Sequence, residues 1–175
     1  MDSTPYEFIE LDEETRSLMH EELVLDVESD SGLYASKVLT TVGLRDYPAL
    51  LEQALLREDE AWLAARLNEG DRLEASPIAA AERLSRTEFN RYYIRAICRR
   101  AALHGVTVVV PYRAHYSEDQ RSDSAGLEHS PQSAPRILAN LRARAANGDP
   151  ESKLGRVNSG MSARCGCADC LGPVS

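Results

Sequence analysis

The sequence predicts a helix-dominated α or α+β domain of about five or six helices and one to three short strands, and three observations carry that expectation. Helix-capping residues followed by apolar positions at 3.6-residue spacing recur along the first 104 positions. A single β-branched run, Val106-Thr107-Val108-Val109-Val110-Pro111-Tyr112, interrupts them. Hydrophobic residues make up 43% of the 175 residues but aromatic ones only 6%, so the core must come mainly from Leu, Ala, Val and Ile. A chain of this length buries about two-thirds of its unfolded surface without needing staples.

The first predicted helix begins after Asp12, whose carboxylate can cap free N–H groups while Glu13 and Glu14 suit the positive end of the dipole. Leu11, Leu18, Met19, Leu23, Leu25 and Val27 form its apolar stripe, which leaves Glu21, Glu22, Asp26 and Glu28 for water. Residues 33–42 read as a short strand or an extended wrap. Asp46-Tyr47-Pro48 offers a cap with proline in the first turn, opening a helix over 49–57, and Asp59 caps another over 61–67. Ser76-Pro77 starts a helix over 79–84. Thr87 then caps the longest one, 88–104, and Gly105 supplies its left-handed stop. The β run follows, with Pro111 expected at an edge or a strand end. Residues 113–134 read as a long polar loop, 133–147 as a last helix capped by Ser133, and 149–175 as a flexible cysteine-containing tail. Residues 1–148 are therefore expected to form a single domain.

Net charge is −8, but it is unevenly distributed. Residues 1–74 hold 6 Lys and Arg against 19 Asp and Glu, whereas residues 75–175 hold 14 against 9. In the second part Arg91, Arg95 and Arg99 fall at i, i+4 and i+8, a cationic ridge that calls for an acidic partner opposite it. Three partners fit. One is the chain's own acidic first helix, a second is another protein or another copy, and a third is nucleic-acid phosphate with Tyr92 available for stacking. No stretch approaches the roughly 20 apolar residues that cross a bilayer, and the N-terminus has no basic-then-apolar signal, so the expected location is a cytoplasm, of a host cell or a virion if phage-encoded.

Two further constellations bear on chemistry. Cys165, Cys167 and Cys170 are spaced like ligands for zinc, but a fourth ligand would have to come from Cys98 or a distant histidine. No cofactor is required by any other motif. Tyr112 and Arg113, at the end of the β run, form the most enzyme-like feature, since strand ends often carry site residues. No glycine-rich phosphate loop, Gly-x-Ser-x-Gly elbow or HExxH spacing occurs.

The order Gly43-Leu44, Tyr47-Pro48-Ala49-Leu50-Leu51, Trp62-Leu63-Ala64, Phe89-Asn90-Arg91-Tyr92-Tyr93-Ile94-Arg95 and Tyr112-Arg113-Ala114 resembles a group of uncharacterised bacterial and phage-borne proteins. The resemblance covers residues 10–145 and implies a mobile-element or phage setting, with no activity and no site residue to carry over. The functional expectation is a non-catalytic assembly or adaptor protein working through complementary charged faces, with Arg91, Tyr92, Arg95, Arg99 and Arg113 as partner-binding residues. A nucleic-acid-binding protein using the arginine ridge, and a small enzyme with a site near Tyr112 and Arg113, are the alternatives.

Overall fold

The computed structural model describes residues 6–30, 33–34, 36–74, 78–115, 126–143, 154–156 and 159–167. Among these the chain forms five α-helices and a three-stranded antiparallel sheet. The helices are α1 (Glu13–Glu28), α2 (Thr41–Arg57), α3 (Glu60–Asn68), α4 (Ile78–Leu103) and α5 (Ala134–Arg142). The strands are β1 (Val108–Arg113), β2 (Gln132–Ser133) and β3 (Met161–Cys165), in the order β2-β1-β3. The α+β class expected from the sequence is the one found.

Local chemistry accounts for the helix starts. Asp12, Asp59 and Ser133 cap α1, α3 and α5, each accepting a hydrogen bond from the backbone N–H three residues on. The start of α2 departs from expectation: Thr40, and not Asp46, is the cap, and Pro48 lies inside the helix. Gly43 permits this early start, because a Cβ there would lie 2.1 Å from the carbonyl oxygen of Arg72. That close approach lets residues 38–40 run beside 72–74, with backbone bonds from Thr40 to Arg72 and from Glu74 to Val38. Instead of a strand, residues 33–42 contribute one isolated bridge, Leu39 to Leu73.

The helices expected over 79–84 and 88–104 are one continuous helix. Thr87 is no cap; Leu84, Ser85, Thr87, Glu88 and Phe89 are all buried along an unbroken α4. The helix ends where expected, at Gly105 with φ +70°. It is the axis of the domain, packed against α1, α3, α5 and β3, with further contacts to α2 and β1. A helix surrounded in this way buries nearly all its circumference, which is why residues 87–98 are buried without a break. The core is built on it: Phe89, Tyr93, Ile94 and Ile97 meet Leu18, Met19, Leu51, Leu55, Leu63 and Leu67, all within one cluster.

β1 is the central strand. It pairs with β2 only at Val108 and Val109, but with β3 from Val109 to Arg113. Pro111 tolerates this position because its carbonyl accepts from the His129 N–H, on the side where β2 has already ended. Its missing N–H lies on that same side, so the ladder to β3 loses nothing. The residues read as a flexible tail are thus partly structural: Leu154, Met161, Ala163 and Cys165 are buried in the core cluster, and β3 supplies the edge that β1 needs. Residues 168–175 lie outside the described residues, as does part of the expected loop, 116–125. Among the described residues, no helix is long and apolar enough to cross a membrane.

Candidate functional site: the charged seam and outer face of α1

The arginine ridge faces the interior. Antiparallel packing of α1 on α4 sets Glu22 and Asp26, one turn apart, against Arg95. Arg95 Nε donates to Glu22 Oε2 at 2.8 Å, and its Nη1 and Nη2 donate to the two oxygens of Asp26 at 2.6 and 2.9 Å. The Tyr92 hydroxyl also donates to Asp26, at 2.8 Å. From α5, Arg142 reaches Glu22 through Nε at 2.9 Å and Nη2 at 2.5 Å. Arg99 closes the seam on Glu21 at 2.6 Å, with Glu22 at 3.5 Å. Arg95, Arg99 and Arg142 therefore stand against Glu21, Glu22 and Asp26, and the seam is neutral.

Burial makes this seam consequential. The Glu22 side chain is 0% exposed and that of Arg95 only 3%. Burial works against ionisation of Glu22, but the bonds from Arg142 and Arg95 outweigh it and hold the carboxyl below the usual glutamate range. For Arg95, burial likewise opposes the charge and is overcome by the Asp26 carboxylate, which keeps the guanidinium protonated. A second buried pair sits further along α4, where Arg91 donates from Nη1 to Glu88 at 3.0 Å and from Nε to the Gly155 carbonyl at 2.8 Å. At the other end, Arg100 meets Asp12 at 2.6 Å and Thr15 Oγ1 at 2.9 Å.

For Arg95 and Arg99 the partner present is the chain's own α1, whereas Arg91 is held by Glu88 on its own helix and by the Gly155 carbonyl. Arg91, Tyr92 and Arg95 are buried, and Arg99 alone of the ridge keeps a partly exposed side chain. Arg113 is held near Glu128 at 3.6 Å, its side chain nearly covered. The Tyr112 hydroxyl donates to the Glu7 carbonyl at 2.7 Å and accepts from the Ile9 N–H. These bonds draw the N-terminal segment over the sheet, where Phe8 packs on Phe89 and Tyr93 and Tyr6 stacks on His115. The enzyme-like strand end is thus occupied by the chain itself.

Turning its carboxylates inward rolls α1 about its axis, and the roll has a second effect. Val24, Leu25 and Val27 stand 36%, 49% and 52% exposed, although the sequence places Leu25 and Val27 on the apolar stripe with Leu18 and Leu23. Beside them lies a groove of about 450 Å³, lined by His20, Glu21, Val24 and Leu25 with Arg99 and Arg142 on its wall. The sequence carried one unused signal for this arrangement, the matching i, i+4 spacing of Glu22 and Asp26 on one helix and Arg91, Arg95 and Arg99 on the other.

A second groove, of about 430 Å³, runs along residues 8–12 beside Arg100 and His104. Glu10 lines it; burial pushes its carboxyl up, countered in part by the bond its Oε2 accepts from the Cys165 N–H at 2.7 Å. Nothing in the sequence marked Glu10. Of the cysteines proposed as metal ligands, Cys165 is a buried free thiol, Cys167 is disulfide-bonded, and Cys170 lies outside the described residues. Among the described residues no group of three or more His, Cys, Asp or Glu side chains is arranged to hold a metal ion. No family model, curated protein or solved structure matches the chain.

Proposed function

We propose that the protein is a non-catalytic assembly or adaptor component, working in a cytoplasm in the phage or mobile-element setting that its resemblance implies, and that it meets its partner through the outer face of α1. The observation that carries this reading is the outward display of Val24, Leu25 and Val27 on a helix whose Glu22 and Asp26 carboxylates are turned in. Burying a Val or Leu side chain is worth about 1.5–3 kcal/mol, so leaving three of them in water on one short face forgoes a substantial stabilisation. A second protein surface recovers it. Contiguous apolar patches rimmed by polar groups are typical of interaction sites, and here Glu21, Glu28, Arg99 and Arg142 form the rim. The charge that the ridge would have offered to nucleic acid is already neutralised by α1, which favours an apolar contact over a phosphate one.

Site-specific photo-crosslinking in the source cell tests the reading. A crosslinking side chain at Val27 is expected to yield one discrete adduct, absent when the same group is placed at exposed Arg83 on α4. Leu25→Glu should abolish the adduct without changing the melting temperature. Equal labelling from both positions, or none from Val27, overturns the proposal.

A further inference from the structure

We infer that residues 6–11 form a proton-linked strap, which lies over the aromatic floor of Phe89, Tyr93 and Tyr112 while Glu10 and Glu60 are protonated and lifts away as both carboxyls ionise. This role is separate from the outer face of α1.

The way the segment is held makes it a detachable unit. Residues 6–11 precede α1 and belong to neither a helix nor a strand. Four of their N–H groups donate across the fold: Tyr6 to Glu60 Oε1 at 3.0 Å, Glu7 to the Ala114 carbonyl at 2.9 Å, Ile9 to the Tyr112 hydroxyl at 3.4 Å and Glu10 to the Tyr93 hydroxyl at 3.1 Å. None of these bonds is part of a helix or a sheet ladder, and α1 keeps its own cap at Asp12 when the segment leaves. Lifting it gives up those bonds and the ring contacts of Tyr6 and Phe8 and leaves the core cluster in place.

Closure has an opposing cost. Glu60, which receives the Tyr6 N–H, is only 4% exposed. Glu10 accepts the Cys165 N–H at Oε2, but its Oε1 is buried with no hydrogen-bond partner among the described residues. A carboxylate placed so forfeits hydration that a neutral carboxyl does not need. The charges around the two groups are mixed. Glu10 faces Asp12, Arg100, His104, Arg164 and Cys165, with Tyr93 and Tyr112 beside it and Glu14 paired to Arg100. Glu60 faces Tyr6, Asp59 and Arg86, and His115 stacks on Tyr6. In both, burial is the largest influence and pushes the carboxyl up. Release returns them to water and to the ordinary glutamate range, so the closed strap binds their protons more tightly. Closure is therefore most favoured below that range and is lost as pH rises through the raised values.

Amide exchange of the full-length protein, followed by NMR and corrected for the intrinsic effect of pH on exchange, tests this. The N–H groups of Tyr6, Glu7, Ile9 and Glu10 are expected to open together and more often than those of Ile94 and Ile97 in α4. Their opening constant should be at least about tenfold larger at about pH 8 than at about pH 5. Glu10→Gln combined with Glu60→Gln keeps the shape of both side chains without the ionisation, and should cut that change to less than about twofold. His115→Gln should leave the change intact. Strap amides that exchange no faster than those of α4 overturn the proposal. So does a wild-type opening constant that is flat or falls between the two pH values, and so does a double variant that keeps the tenfold change. The first two results come from the wild-type chain and stand even where the double variant does not fold.

Discussion

Glu22→Gln is the most incisive perturbation of the fold. The substitution keeps size and hydrogen-bonding capacity and removes one charge from a carboxylate that is wholly buried and bonded to Arg95 and Arg142. Three cations, Arg95, Arg99 and Arg142, are then left with Glu21 and Asp26 alone. Removing one member of a buried ion pair costs about 3–5 kcal/mol, because the remaining charge stays desolvated. For a domain of this size each kcal/mol lowers Tm by about 2–4 °C, so the expected loss is about 6–20 °C. Glu21→Gln is the internal control: its carboxylate is 52% exposed, and the Arg99 pair is worth at most about 1 kcal/mol after solvent screening. Urea denaturation followed by circular dichroism measures both. The double variant Glu22→Gln, Arg95→Met should lose less than the sum of its parts, by about 0.5–3 kcal/mol. A Glu22→Gln loss below about 1 kcal/mol, or one equal to that of Glu21→Gln, would refute the buried seam and the roll of α1 that depends on it.

The pH dependence of stability has two signs. Burial raises the carboxyls of Glu60 and Glu10, in part offset by backbone N–H bonds, so the native state binds their protons more tightly and gains stability as pH falls from neutrality through their folded values. Glu22 is held low, so its contribution, present above the ordinary glutamate range, is lost only as pH drops through its lower folded value. A urea-midpoint series should peak on the mildly acidic side, and Glu60→Gln should flatten the rise; a maximum at pH 8 would contradict this. Gly43→Ala should destabilise by about 1–3 kcal/mol through its clash with the Arg72 carbonyl, although alanine is the better helix former, while Gly105→Ala, with open space but φ +70°, should cost about 1–2 kcal/mol from backbone strain alone. Differential scanning calorimetry of both, with Gly70→Ala as a second positive-φ reference, checks the distinction. Phe89→Ala should cost about 3–5 kcal/mol because the ring is fully buried, whereas Trp62→Ala, only partly buried under Arg66, should cost clearly less by the same urea measurement.

The parts legible in the sequence were those set by neighbouring residues. Asp12, Asp59 and Ser133 cap where their side chains can reach the N–H three residues on, and Gly105 ends a helix because it alone accepts the left-handed conformation cheaply. The apolar core positions of α2 and α3 followed from 3.6-residue spacing. Features decided by distant residues were not legible. Glu22 and Asp26 were assigned to water because a carboxylate's preference reverses only when a guanidinium waits 70 positions away. For the same reason Leu25 and Val27 were read as part of the apolar stripe. The sequence Met161-Ser162-Ala163-Arg164-Cys165 has little strand character of its own and becomes β3 because β1 offers an unpaired edge. Thr87 looked like a cap since only the surrounding packing keeps α4 unbroken. The ridge itself was visible, and its direction was not.

Pairing of β1 with β3 also governs when the domain can be completed during synthesis. Val109 and its partner Cys165 lie 56 positions apart, so a nascent chain carries β1 with a bare edge for seconds at the pace of translation, about 5–20 residues per second. During that interval Val109, Val110 and Tyr112 present an extended apolar segment open to any other strand. Pro111 gives that edge no protection, because its missing N–H lies on the β2 side and leaves the ladder that faces β3 complete. A chain shortened at residue 149, where composition alone would place the cut, keeps all five helices and loses the strand that covers this segment. Its expected fate is aggregation rather than a tidier domain.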